Sequence, residues 1–578
     1  MTAAGTPTLP GSRLSRGAYL AGRRLGRVAL LARRAPTPPP WAVLAALVVA
    51  NWVVLLEIAR IASHDGWLYF QGGDATWYYT SAWLIAHGHL PFASIGYGYS
   101  VLIAPIAYFA GPNMLDGLPA IVVFDLAVLA PIALLCVYGI ARMIGGRAFG
   151  YFAALAWAVF PVAIIHYFLP DYHANYVDVT LPPALGLTAR GDFPSLVFLL
   201  VAAYFGMRGM YSGVRLDFLG SGLALGFAIA VKPSNALFVP AIVVALPLAR
   251  RFEGLLLVGA GLVPSLVGLA FWKYYGIGYL PVFRSTAGAY PPGTMAAAPM
   301  VGLNFDPGHY LPIHWDRISN SLDGFREYTV SRRLVEWVAV GGLVGLARRS
   351  VPAAALIGLW LASFFVVKSS SPLVKFSWGS YLTHLIPAFP AYFVLAISIP
   401  FLIPVLGRRK IVPAILPGMR PGRPLRLGVY ALAAVAVASA LVVAVLPPVA
   451  SPTAVDFFGQ YLYLPLDGFA VSSSVSGGAV TLEWSSQRPS AERVSYAIFR
   501  DRPGAVSCAR RRKHASTLCV YYPNNQVGSV QGDKTSWVDH PPPGRWVYRV
   551  VLSASPGRQQ FSNDYILASR PTPTIRIG

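Results

Sequence analysis

Long apolar stretches separated by short basic clusters run through most of this chain, and they restrict its possible folds more than any other feature. A helix of about 20 apolar residues spans the hydrocarbon core of a bilayer. The composition agrees, because 55% of the 578 residues are hydrophobic and only 12% are charged, whereas about a quarter of an average soluble protein is charged. The sequence therefore predicts a polytopic α-helical membrane protein.

The basic residues predict its orientation. Lys and Arg concentrate in the cytoplasmic segments of membrane proteins, and alternating the apolar stretches leaves nearly every basic pair on one side. The net charge of +23 then reflects sidedness, so it does not indicate a nucleic-acid partner. We interpret residues 1–40, which lack a signal-peptide cleavage pattern, as a cytoplasmic tail. The tail has no acidic residue and seven arginines: Arg13, Arg16, Arg23, Arg24, Arg27, Arg33 and Arg34.

About eleven crossings follow from this alternation, with the N-terminus in the cytoplasm and the C-terminus outside. The short apolar stretch Tyr97–Ala110 is broken by Pro105, so we interpret it as a juxtamembrane or re-entrant helix. Such a chain would be a multi-pass protein of the plasma (inner) membrane. The predicted crossings are residues 41–63, 119–141, 149–169, 194–207, 218–231, 236–249, 254–272, 334–347, 352–367, 381–405 and 428–447.

The chemistry of the sequence changes near residue 450. Short stretches of alternating apolar and polar residues follow, separated by turns rich in Pro and Gly, and this pattern is typical of β-strands. Examples are Ala479–Trp484, Val494–Phe499 and Trp546–Val551. The sequence therefore predicts three regions: the tail at 1–40, a transmembrane domain at 41–450 with outer loops 64–118 and 274–332, and an extracytoplasmic all-β sandwich domain at 451–578.

The strand pattern of the C-terminal region resembles a fibronectin type III domain. The resemblance implies that Trp484 packs in the core and that Tyr548 pins a corner through a hydrogen bond to the backbone. Residues 503–527 depart from the pattern as an insertion. Cys508 and Cys519 lie close together in that insertion, and a disulfide closing a short hairpin is plausible if the region is extracytoplasmic.

Asp74 is the leading candidate for chemistry in the transmembrane domain. It follows the first crossing, at the head of the aromatic-rich segment Asp74–Leu84, which we expect to lie in the interfacial belt of the membrane. Asp is a common helix N-cap, so the residue has a purely structural interpretation. Capping and catalysis are compatible, and acids at the membrane are often functional. Asp74 is therefore predicted to act as a general base.

Three segments together resemble the membrane-embedded glycosyltransferases of the GT-C type, which include the protein mannosyltransferase and lipid A aminoarabinose transferase families. The first runs from Gly73-Asp74 to Gly88-His89-Leu90-Pro91. The second is the glycine-rich stretch 223–234, which ends in Lys232-Pro233-Ser234, and the third is the stretch 381–390, from Tyr381 to Pro390. The resemblance covers roughly residues 41–405 in order and sidedness.

The resemblance implies an inverting glycosyltransferase that works on the outer face of the membrane in cell-envelope glycan or glycoconjugate assembly. The donor would be a sugar linked to polyprenyl phosphate, and the acceptor a hydroxyl of a glycan, protein or lipid. Asp74 matches the family's first-loop acid and would deprotonate the acceptor. Ala75 stands where many relatives carry a second acid, which places a metal role at that point in doubt. The resemblance leaves the cofactor open, with a divalent cation such as Mg²⁺ or Mn²⁺ as the candidate.

A leaving lipid phosphate requires positive charge or hydrogen-bond donors. Several predicted outer residues could supply them, and Asp171 in the second outer loop is the expected secondary acid. The outer basic residues also have an alternative interpretation, as lipid-headgroup contacts or partners of Asp323, Glu327 and Glu336. The donor phosphate is assigned to Lys232, His384, Arg332, Arg333 and Lys375, with Lys368, Arg317 and Arg326 also on the outer side.

Two other functions stay open. The chain could be a transporter or flippase of lipid-linked sugars, or a non-catalytic envelope scaffold that acts through its β-domain. Internal repeats are common in transporters, and we find none. We also expect no charged residue in the middle of the crossings, as a proton relay would require.

Overall fold

The computed structural model describes most of the two predicted domains. The chain divides into two compact units, residues 1–49 and residues 50–578. In the first unit only residues 39–49 are described, and they are helical from Pro40. The described residues are 39–61, 74–91, 95–277, 313–330, 333–370, 380–407, 422–448, 453–457, 460–463, 469–486, 494–504, 506–509, 518–521, 525–554 and 564–578.

Residues up to Val445 form helices wherever they are described, apart from short connections. Within the described residues, two π-helical turns, Asp125–Leu129 and Tyr176–Thr180, interrupt longer helices, and three 3₁₀ turns are Pro233–Phe238, Ile386–Ala388 and Ile399–Leu402. The α-helices are α1 Pro40–Ile61, α2 Asp74–Ala86, α3 Gly98–Ala110, α4 Met114–Phe124, α5 Ala130–Gly145, α6 Arg147–Ile165, α7 Pro170–Asn175, α8 Leu181–Leu185, α9 Asp192–Ser212, α10 Arg215–Val231, α11 Val239–Leu248, α12 Phe252–Ile277, α13 Trp315–Tyr328, α14 Leu334–Arg349, α15 Val351–Ser369, α16 Ser380–Leu385, α17 Phe389–Ser398, α18 Pro404–Gly407 and α19 Arg423–Val445.

The polytopic helical fold is confirmed. All eleven stretches predicted to cross the membrane lie on helices, and the stretch 97–110 lies on the short helix α3. Stretches 218–231, 236–249 and 334–347 lie on helices shorter than a typical span. Within the described residues, eight helical segments are long and apolar enough to span a bilayer: Pro40–Ile61, Met114–Gly145, Arg147–Ile165, Asp192–Ser212, Phe252–Gly276, Val351–Ser369, Tyr381–Leu402 and Arg423–Val445.

Helix α9 lies at the centre of the helical region. Its apolar window is 94% buried, against 22% to 61% for the other seven spanning segments, so protein rather than lipid surrounds it. Helix α10 runs back along α9 and packs tightly on α12. A Cβ atom added at Gly222 would collide with the backbone of Val258, and one at Gly261 would lie 2.6 Å from the Leu219 carbonyl oxygen. Small residues allow this close approach between helices in a membrane.

The described C-terminal residues form twelve β-strands in three sheets. The sheets have the orders β2-β1-β7-β6, β3-β4-β9 and β11-β10-β5-β8, and β12 also pairs with β10. The strands are β1 Thr453–Phe457, β2 Gln460–Tyr463, β3 Val471–Ser476, β4 Ala479–Trp484, β5 Val494–Asp501, β6 Val506–Ala509, β7 Leu518–Tyr521, β8 Gln526–Gln531, β9 Ser536–Asp539, β10 Gly544–Ala554, β11 Asp564–Ala568 and β12 Ile575–Ile577.

Two of these sheets pack face to face. Trp484 of β4 is buried, and its ring lies edge-on to Tyr496 of β5 at 5.4 Å between centroids. This places Trp484 in the core, as the fibronectin-like pattern implies. Tyr548 is fully buried on β10, but its hydroxyl donates to the Asp539 carboxylate at 2.6 Å. The expectation of a bond to the backbone is therefore wrong for this tyrosine, because β9 ends in an acid within its reach.

The predicted insertion 503–527 contributes the hairpin of β6 and β7. These strands pair antiparallel with Cys508 directly opposite Cys519. The side chains of both cysteines lie outside the described residues, so the disulfide stays a prediction. The register agrees with it, because opposite residues of an antiparallel pair have Cα atoms about 5 Å apart, within the span of a disulfide.

Candidate active site

Asp74 begins helix α2, and its side chain is half exposed (51%). The rest of the helix is enclosed by protein: Trp77, Tyr78, Tyr79 and Trp83 are at most 8% exposed. The expectation that these aromatic residues lie in the interfacial belt is therefore wrong. The helix is mostly apolar because it is packed on nearly all sides, and Asp74 is its one exposed residue. The fold thus fixes the position of one accessible carboxylate.

The sequence before helix α9 supplies the partner of Asp74. Arg190 Nη2 lies 3.6 Å from the Asp74 carboxylate, and Arg190 Nε lies 3.2 Å from the Asp192 carboxylate. Asp192 is the first residue of α9 and its side chain is only 2% exposed. An acid is stable at a helix N-terminus, where backbone N–H groups are unpaired. Arg190 therefore joins an exposed carboxylate to a buried one.

Lys232 comes to the same place from helix α10. A residue that precedes proline avoids helical geometry, and Lys232, next to Pro233, is extended with φ −142° and ψ 109°. The helix ends there, and Lys232 Nζ lies 2.6 Å from Asp192 Oδ1. The Asn235 side chain donates to the Ala228 carbonyl at 2.7 Å, and the Lys232 backbone N–H donates to the same carbonyl at 2.9 Å.

Tyr78 packs beneath these charged groups. Its hydroxyl donates to the Val231 carbonyl at 3.1 Å, one residue before Lys232. A Cβ atom added at Gly191 would lie 2.6 Å from the same hydroxyl, so only glycine fits between Arg190 and Asp192. Burial raises the pKa of Tyr78 well above its usual value, and the negative charges of Asp74 and Asp192 raise it further while Arg190 opposes them.

Two further basic residues interact with this cluster. Lys368 is near the end of helix α15, and its charge interacts with those of Lys232 and Asp192. His384 on α16 interacts electrostatically with Asp192 as well. We call Asp74, Arg190, Asp192, Lys232, Lys368 and His384 the charged cluster. It contains more basic groups than carboxylates and suits an anion.

A cavity of about 520 Å³ lies inside the helical region. Its wall is almost entirely apolar. Three of its residues adjoin members of the cluster in sequence: Phe193 follows Asp192, Leu385 follows His384, and Phe365 lies one turn before Lys368. Its lining also includes the aromatic residues Trp157, Phe160 and Phe389. The charged and apolar surfaces together match a ligand with an anionic head and a long apolar tail.

The other predicted site residues lie apart from the cluster or outside the described residues. Arg332 and Lys375 lie outside them. Arg333 is exposed and lines a polar hollow with Asp323, Arg326 and Glu327. Asp171 is exposed on the short helix α7, and no contact seen in the described chain joins it to Asp74.

Two outer arginines have local partners. Arg326 binds Glu336 at 2.7 Å and Asp323 at 2.8 Å, as the ion-pair interpretation expects. The hydrogen bond to Glu336 raises the pKa of Arg326. Arg317 donates to the Ser370 carbonyl at 2.9 Å, next to the end of α15. These two side chains stabilise the position of helix α13 on its neighbours.

The described residues bring together no cluster of ligands for a divalent cation. No three His, Cys, Asp or Glu side chains of that part of the chain come together as a metal site. The two carboxylates of the charged cluster both face Arg190, which already supplies the positive charge between them. The prediction of Mg²⁺ or Mn²⁺ thus gains no ligand set here, and no chemical step is assigned to a metal.

Sequence reasoning missed three polar residues that the fold brings to this region. Arg190 and Asp192 stand two residues apart at the outer end of a predicted crossing, and an arginine on the outer side runs against the positive-inside rule. That signal could have identified them. Asp125 lies within the span Met114–Gly145 and is fully buried, so the expectation of no charged residue inside a crossing is wrong.

The fold and the site define a polytopic membrane protein with an apolar cavity and a charged cluster in its helical region, followed by a C-terminal β region. No family model matches the chain, and no curated protein matches it.

Among solved structures, the chain is similar to the Archaeoglobus fulgidus oligosaccharyltransferase in its apo form, with 12% identity and a TM-score of 0.34, over 69% of this chain and 55% of that one. The complex of the archaeal oligosaccharyltransferase AglB with an inhibitory peptide and a dolichol-phosphate gives 13% identity and a TM-score of 0.31, over 68% and 55%. The chain spans about half the length of these structures. Identities and TM-scores this low do not assign an activity to this chain.

Proposed function

We propose that this protein is an inverting glycosyltransferase that moves a sugar from polyprenyl phosphate to an acceptor hydroxyl. The observation that carries the proposal is that Phe193, Leu385 and Phe365, which line the apolar cavity, stand within three residues of Asp192, His384 and Lys368 of the charged cluster. A polyprenyl phosphate has an anionic head and a long apolar tail, so it matches both surfaces at once. The three segments that resemble GT-C glycosyltransferases support the same reaction.

Asp74 is the acceptor's base in this proposal. Its carboxylate takes the proton of the acceptor hydroxyl, and the oxygen attacks the anomeric carbon of the donor sugar. The bond between that carbon and the phosphate oxygen breaks, and the lipid phosphate leaves with the electron pair. Asp74 keeps the proton until it is released to water. Attack opposite to the leaving group inverts the configuration of the sugar.

Lys232, Lys368 and His384 stabilise the leaving phosphate. Fixed positive groups placed where negative charge develops are among the largest contributions to catalysis. Arg190 has a second task, because its ion pair with Asp74 fixes the base relative to the phosphate site. Asp192 in turn binds Lys232 and Arg190. The cluster thus aligns base and leaving group within a single network.

The sidedness of the reaction belongs to the same proposal. The positive-inside pattern places Asp74 and the C-terminal β region outside the cytoplasm, where sugars reach an enzyme on lipid carriers. The β region would bind or orient a glycan, protein or lipid acceptor in the cell envelope. This sidedness is inferred from the sequence and from the contact between the start of α9 and the end of α10, which places Asp192 and Lys232 on the same side.

The test uses the full chain reconstituted in liposomes with candidate polyprenyl-phosphate hexoses and pentoses and with soluble acceptors. The proposal predicts a glycosylated acceptor of inverted configuration and the release of polyprenyl phosphate. The buried Asp125 is the observation that favours the transporter alternative, because acids within membrane spans often mark transport pathways. Movement of lipid-linked sugar between leaflets without any transfer would overturn the proposal and favour that alternative.

A further inference from the structure

Asp125 is a buried carboxyl residue to which the proposed reaction gives no role. It lies well inside the span Met114–Gly145, is 0% exposed, and begins the π-helical turn Asp125–Leu129. Polar groups inside membrane spans are rare and usually functional, and π-helical turns are frequent at functional sites. The residue therefore needs an explanation beyond packing.

The contacts of Asp125 lead to the charged cluster along two routes. On the first, the Tyr99 hydroxyl donates to Asp125 Oδ2 at 3.1 Å. The Tyr99 ring then meets Tyr78 edge-on, with 5.5 Å between centroids. The neighbouring Ser100 hydroxyl donates to the Tyr78 carbonyl at 3.1 Å. Asp125 thus contacts Tyr99, and Tyr99 in turn packs against Tyr78.

Tyr78 completes this route, because its hydroxyl touches both backbone segments of the cluster. It donates to the Val231 carbonyl next to Lys232 and lies against Gly191 between Arg190 and Asp192. On the second route, a Cβ atom added at Gly186 would lie 2.9 Å from Asp125 Cβ. Gly186 has φ +75°, a conformation that favours glycine, and starts the segment that leads to Arg190.

We propose that Asp125 is a positioning residue for the donor-phosphate site. Asp125 acts through Tyr99, Tyr78 and residues 186–190. Through these contacts it fixes the positions of Arg190, Asp192 and Lys232. The inference rests on the proposed function for the identity of the ligand. Its physical content is a buried hydrogen-bond acceptor, which asparagine can replace and leucine cannot.

The experiment measures the donor KM and kcat of the full chain, and separately its Kd for a polyprenyl phosphate without sugar. The single variants are Asp125→Asn, Asp125→Leu and Tyr99→Phe. Removing one partner of a buried hydrogen bond leaves the other unsatisfied, whereas replacing both with apolar groups is often nearly neutral for folding. The double variant Tyr99→Phe with Asp125→Leu therefore tests positioning in a folded protein.

Tyr97→Phe is the matched control. Tyr97 is also fully buried at the start of α3, and its hydroxyl donates to the Ser265 carbonyl at 3.2 Å, away from Tyr78 and Asp125. This control loses one buried hydrogen bond in the same segment. Any effect that it shares with Tyr99→Phe comes from general loosening of the helix.

The double variant should keep the thermal stability of the wild type but bind donor and polyprenyl phosphate about tenfold more weakly. Asp125→Asn and Tyr97→Phe should keep wild-type KM and Kd. Wild-type affinity in the double variant, or equal losses in Tyr97→Phe, would overturn the inference. If the wild type binds polyprenyl phosphate but transfers no sugar, the proposed function fails while the Kd comparison still decides this inference.

Discussion

Lys232 Nζ lies 2.6 Å from Asp192 Oδ1, at the point where helix α10 ends and helix α9 begins. The two residues are 40 positions apart, and the antiparallel run of the two helices brings them together. Asp192 also faces Arg190 at 3.2 Å. One buried carboxylate thus organises two of the basic groups that form the charged cluster.

Asp192→Ala should destabilise the protein more than Lys232→Ala does. The first change leaves Arg190 and Lys232 together without their shared carboxylate, and breaking a buried ion pair in this way costs about 3–5 kcal/mol. The second change leaves Asp192 paired with Arg190, so the loss should be nearer to that of one charged hydrogen bond, about 1.5–3 kcal/mol. Thermal unfolding in detergent measures both. Equal losses of stability in the two variants would show that Arg190 does not compensate Asp192 for the missing Lys232 charge.

Gly222→Ala should lower stability by about 1–3 kcal/mol, the range found for overpacked cores. Its Cβ atom would collide with the Val258 backbone of α12, which cannot move aside as a flexible side chain can. Gly259→Ala is the control on that helix, because nothing lies within 4 Å of its added Cβ atom. The thermal unfolding midpoints of both variants test this prediction. Similar unfolding midpoints for the two variants would mean that α10 and α12 are not in contact at Gly222.

Ala339→Trp should reduce activity with long-chain donors more than with short-chain donors. Ala339 on helix α14 lines the apolar cavity, and a tryptophan there would occupy the volume that a lipid tail needs. Val344→Trp on the same helix is the control, since Val344 is 49% exposed and does not line the cavity. The KM for donors of different chain length measures the effect. A uniform loss across chain lengths would argue against the cavity as the tail site.

Tyr78 predicts a dependence of stability on pH above about 10. Burial raises its pKa, so the folded protein keeps the phenolic proton at pH values where the unfolded chain loses it. The folded state then binds more protons, and stability falls as pH rises, by up to about 1.4 kcal/mol per pH unit. Tyr78→Phe removes this contribution and should lose less stability between pH 10 and 11 than the wild type.

The control for this prediction is Tyr108→Phe, at a ring that is 56% exposed. It should follow the wild type, because only the difference between the variants isolates the buried phenol. If the stability of Tyr78→Phe falls as steeply with rising pH as that of the wild type, the Tyr78 hydroxyl is not buried as described.

The helical architecture could be predicted from the sequence because membrane spans are local features. Each of the eleven apolar stretches lies on a helix wherever it is described, and the resemblance to a fibronectin type III domain implied that Trp484 packs in a core. The charged cluster was only partly predictable. Asp74, Lys232 and His384 belong to segments with a recognisable pattern, whereas Arg190 and Asp192 acquire their meaning from a tertiary contact.

The burial of Trp77 and Tyr78 escaped prediction for a related reason. Aromatic residues next to an acid suit the membrane interface and a protein core equally well, so only the packing of neighbouring helices decides between them. Asp125 was visible as an acid within an apolar stretch. Its relation to Tyr99 depends on α3 crossing that span, which no local pattern records.

The most direct test of the account is the transfer rate of Asp74→Asn in liposomes. Asparagine caps a helix about as well as aspartate, so the fold and the donor KM should be unchanged, while loss of the base should lower kcat by about 10²- to 10⁴-fold. Asp316→Asn, an exposed acid in the first turn of α13, should transfer at the wild-type rate. Wild-type transfer by a folded Asp74→Asn would contradict the central claim that Asp74 is the base.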